Sequence, residues 1–96
     1  VVLRFNLPNQ GPKVTRMAEV MQISKHTDAA FIAHVEEILN EIGIPKSLEE
    51  INVPMSCAER IAEKALLDSA AATNPRKASV NEMRQLIENA ITRARY

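Results

Sequence analysis

The chain has 96 residues, 46% apolar and 25% charged, which suits one small globular domain and excludes a disordered or membrane-spanning sequence. Twelve basic and twelve acidic side chains cancel, and both signs are spread along the chain. No broad field gathers nucleic acid or anionic lipid, so neither is an expected partner.

Two Phe, one Tyr and no Trp leave the core to Leu, Ile, Val, Ala and Met, which favours helix-on-helix packing. The expected class is all-α: a single compact helical bundle over residues 1–96 with about four to five helices around one core. One cysteine, Cys57, closes no internal disulfide, and no signal-peptide pattern is present, so a cytoplasmic setting is expected. The opening run Val1, Val2, Leu3, Arg4, Phe5, Asn6 reads as the tail of something already under way, and a fragment is expected.

Gly and Pro mark the joints. After the breaker-rich stretch Leu7, Pro8, Asn9, Gln10, Gly11, a helix is predicted over residues 12–22, with Pro12 at its first position and Val14, Met17, Ala18 and Met21 inward. The next helix opens near Thr27 and Asp28 and places Phe31, Val35, Ile38, Leu39 and Ile42 on one stripe. Gly43 supplies its left-handed end and Pro45 prevents resumption. An inward Ile38 implies that Ile38→Ala costs about 2–5 kcal/mol.

Three pairs, Ser47 with Glu50, Ser56 with Glu59 and Ser79 with Glu82, have the spacing of a capping box, in which each side chain bonds the other residue's backbone N–H. They predict a short helix ending near Asn52 and two long ones. One covers residues 57–72 with Ala58, Ile61, Ala62, Ala65 and Leu66 inward. The other covers 80–94 with Met83, Leu86, Ile87, Ala90 and Ile91 inward. Arg76 and Lys77, and Arg93 and Arg95, read as solvated helix ends.

Catalytic groups are sparse. His26 and His34 are eight residues apart with no carboxylate spaced to join them in a metal site, so ordinary solvated or partly packed roles are expected. Cys57 has no nearby base and reads as a small apolar packer. Adjacent pairs Glu36 and Glu37, and Glu49 and Glu50, point apart and form no shared-proton dyad. Two glycines, Gly11 and Gly43, cannot build a phosphate-cradling loop. Met17, Met21, Met55 and Met83 read as core filler. No catalytic, cofactor-binding or metal-ligating residue is therefore expected within the chain.

Three stretches in order resemble the C-terminal half of iron-containing, NAD(P)-dependent alcohol dehydrogenases. They are Val2, Leu3, Arg4, Phe5, Asn6; then Ile42, Gly43, Ile44, Pro45, Ser47, Leu48, Glu50, Ile51, Val53; then Ala65, Leu66, Asp68, Thr73, Asn74, Pro75, Arg76. The resemblance spans the chain to the Arg93 region. Asn52 stands where the family usually has Gly, and Asn is the best other residue at positive φ.

The resemblance implies the helical domain of the dehydroquinate synthase-like fold. It implies a parent enzyme that uses NAD or NADP and a divalent metal, iron or possibly zinc, to interconvert alcohol and aldehyde. The metal ligands, one Asp and three His, and the glycine-rich cofactor loop would then precede Val1. The partner would be the enzyme's own N-terminal nucleotide-binding α/β domain, within a homo-oligomer. Ala70 and Thr73 would line one wall of the substrate cleft, and the chain alone would be inactive. A competing expectation is a free-standing helical interaction module that docks a partner through residues 1–5 or a Met-bearing face.

Overall fold

A computed structural model describes residues 1–92, which are helical with no strand among them. They fall into two compact units, one spanning Val2–Ile44 and the other beginning at Pro45.

In the first unit the apolar opening stub is a short helix, α1 (Val2–Asn6), running into a 3-10 turn at Leu7–Asn9. α2 (Pro12–Val20) starts on Pro12 as expected but stops two residues early. Gln22 takes a left-handed φ of 58°, and Ile23 N–H donates to the Ala18 carbonyl at 2.9 Å, the closing bond of a Schellman motif. α3 (Asp28–Glu41) opens on Thr27, whose hydroxyl accepts from Ala30 N–H at 3.1 Å. It closes by the same motif at Gly43, φ 76°, with Ile44 N–H donating to the Leu39 carbonyl at 3.0 Å.

Leu7, Val14, Phe31 and Ile32 form this unit's core, with Leu3, Met17, Met21, Ile23 and Val35 packed against it. The expected stripe of α3 needs two corrections: Ile32 is buried, whereas Ile38 and Ile42 are 39% and 64% exposed. α1 and α2, of five and nine residues, are shorter than the fourteen-residue α3, which meets them through the Phe31, Ile32 and Val35 end. Periodicity marked an apolar side there, but this unit supplies nothing to cover its far end.

In the second unit two of the three capping boxes fail to form. Glu50 accepts instead from Lys46 N–H at 2.9 Å, and the 3-10 turn Glu49–Ile51 has Leu48 at its N-cap with no side-chain cap. Leu48 N–H donates to the Ala90 carbonyl at 2.9 Å. Asn52 closes the turn at φ 67°, as its conformational tolerance predicts. At the second box Pro54 leads into a 3-10 turn, Met55–Cys57, so the helix proper, α4 (Ala58–Leu66), has Cys57 at its N-cap and no side-chain cap. The Cys57 thiol donates to the Pro54 carbonyl at 2.9 Å.

The single helix expected over 57–72 is two. α4 ends at Leu66, and α5 (Ser69–Ala72) begins after Asp68, whose backbone is extended and whose carboxylate caps the new start. α6 (Val80–Thr92) opens on the third box, which is formed. The expected continuation to 94, with Arg93 and Arg95, lies outside the described residues. α4 packs on α6 and buries Ala58, Ala62 and Ile91 fully. Ile61, Ala65, Leu66, Met83, Leu86, Ile87 and Ala90 are half-buried. Alanines on the α4 face let the two helices approach closely. Met55 is 43% exposed and is not the core filler expected.

Candidate functional site

The segment carrying Ala70 and Thr73 is the corner between α4 and α6. Leu67, just past α4, is 88% exposed. Asp68 then breaks the helix: its carboxylate accepts from Ala70 N–H at 2.8 Å, giving the first turn of α5 an acceptor that a continuing helix would not need. At the other end the Thr73 hydroxyl donates to the Ala70 carbonyl at 3.2 Å, so the two residues of interest are bonded to each other and both are exposed.

Pro75 keeps Asn74 out of the α region and ends α5 for good. The Asn74 amide donates to the Arg76 carbonyl at 2.5 Å, folding the corner on itself. Lys77 Nζ donates to the carbonyl of Ala72, the last residue of α5, at 2.6 Å, a cation on the negative end of that helix. Arg76 Nη2 lies 3.4 Å from Glu82 Oε2. The other oxygen of Glu82 accepts from Ser79 N–H at 3.1 Å, and Glu82 N–H donates to Ser79 Oγ at 3.1 Å. Glu82 thus joins the α6 cap to the corner. Arg76 and Lys77 are not simply solvated helix ends: each is tied to a named acceptor.

The sequence pattern put Ala70 on one long helix over 57–72 with Thr73 just past its end, and did not mark what positions them. The signal was Asp68, a strong N-cap residue two positions before Ala70, which the apolar periodicity of 57–72 overrode. Lys77 and Asn74 act on the backbone of neighbouring turns, and no spacing rule marks that.

The other candidates sit apart from one another along the chain. His26 is exposed, with Nδ1 4.0 Å from Glu19 Oε1, and His34 is half-buried on α3. Cys57 is half-buried at the start of α4. Among the described residues no three His, Cys, Asp or Glu side chains gather where a metal ion could sit, so these residues do not fit a metal site. Gly11 and Gly43 both have positive φ and serve helix boundaries. No helix among the described residues is long and apolar enough to cross a membrane.

No curated protein and no solved structure matches the chain. A family model does: the one described as Fe-containing alcohol dehydrogenase family, C-terminal, matches residues 1–91. That match takes in all six α-helices but the last residue of α6, and the helical architecture accords with it. The chain belongs to the Fe-containing alcohol dehydrogenase family, of which it carries the C-terminal region.

Proposed function

We propose that the chain is the C-terminal helical domain of an enzyme that moves hydride between an alcohol or aldehyde and NAD or NADP. The family match over residues 1–91 is the observation that carries this reading. In such an enzyme a divalent metal, iron or zinc, polarises the alcohol or carbonyl oxygen when bound. The metal and the nicotinamide would be held by residues that precede Val1, and the N-terminal nucleotide-binding α/β domain is this chain's principal partner in a cytoplasmic homo-oligomer.

The chain's own part is mechanical. The α4–α6 pair is a close-packed support, and the bonds of Asp68, Thr73, Asn74 and Lys77 fix the local shape of α5 and of the corner that follows it. α5 then presents Ala70 and Thr73 as one wall of the substrate cleft, where small side chains leave room for a carbon chain.

The test is an assay of nicotinamide reduction with short-chain alcohols, run on the full-length enzyme and on the 96-residue chain. Metal-dependent turnover by the full-length protein and none by the chain is the expected result. Turnover by the chain alone, or none by a folded, metal-loaded full-length protein with any alcohol or aldehyde, contradicts the reading.

A further inference from the structure

We draw no further inference here: the strongest candidate, the exposed apolar patch that Ile38, Ile42 and Ile44 form at the far end of α3, is an unpartnered helix face, and nothing in the structure shows what covers it.

Discussion

α3 and α6 each carry an apolar stripe, yet only one of them is used along its length. On α6 every inward candidate from Met83 to Ile91 is at least half-buried, because α4 lies alongside and offers alanines as its contact face. On α3 Phe31 and Ile32 are buried and Leu39 is half-buried, but Ile38 and Ile42 are exposed. A helical stripe therefore states which side of a helix is apolar. It does not state what covers that side, and on α3 the difference shows as exposed Ile38 and Ile42.

The comparison breaks most visibly under truncation. Ile91 is 1% exposed, so Ile91→Ala should destabilise the chain by about 2–5 kcal/mol in urea unfolding, and a loss under about 0.5 kcal/mol would mean that α6 does not pack as described. Next comes the α6 cap: Ser79→Ala removes the acceptor for Glu82 N–H and should cost about 0.5–2 kcal/mol by the same measurement. The two left-handed helix ends give a third pair. A side chain at Gly43 meets nothing within 4 Å, so Gly43→Ala should lose about 1 kcal/mol from backbone strain alone. Gln22→Gly, at φ 58°, should move stability the other way by a smaller amount. Equal signs for the two variants would show that the positive φ at one position is wrong.

The smallest effect is expected where periodicity asked for a large one. Ile38 is 39% exposed, so Ile38→Ala in this chain should cost less than about 1 kcal/mol, not the core value. The same substitution in the full-length enzyme sharpens the comparison. A markedly larger loss there would identify Ile38 as buried by the rest of the protein, and an equal loss would make it plain surface.

Much of the fold was legible because its boundaries are chemical. Pro12, Thr27, Gly43, Asn52 and the Ser79–Glu82 box each do locally what their side chains predict. The same Ser-x-x-Glu spacing failed at Ser47 and Ser56: Glu50 accepts from Lys46 N–H instead, and Pro54 leads the chain into a 3-10 turn before α4 begins. Motif spacing says that a cap can form, and the neighbours decide whether it does. The candidate site was less legible. Ala70 and Thr73 followed from the family likeness, but the Asp68 break that sets them at a corner competes with an alanine-rich helical pattern running straight through it.

In the proposed role this chain supports and shapes a cleft while the metal and the nicotinamide are bound elsewhere in the enzyme. Calorimetric titration of the 96-residue chain with NAD, NADP, Fe(II) and Zn(II) tests it most directly. The account predicts no binding tighter than about millimolar for any of them, since the described residues assemble neither a ligand cluster nor a phosphate-cradling loop. Binding of Fe(II) or Zn(II) at about micromolar Kd or better, abolished by His26→Ala or His34→Ala, would contradict it.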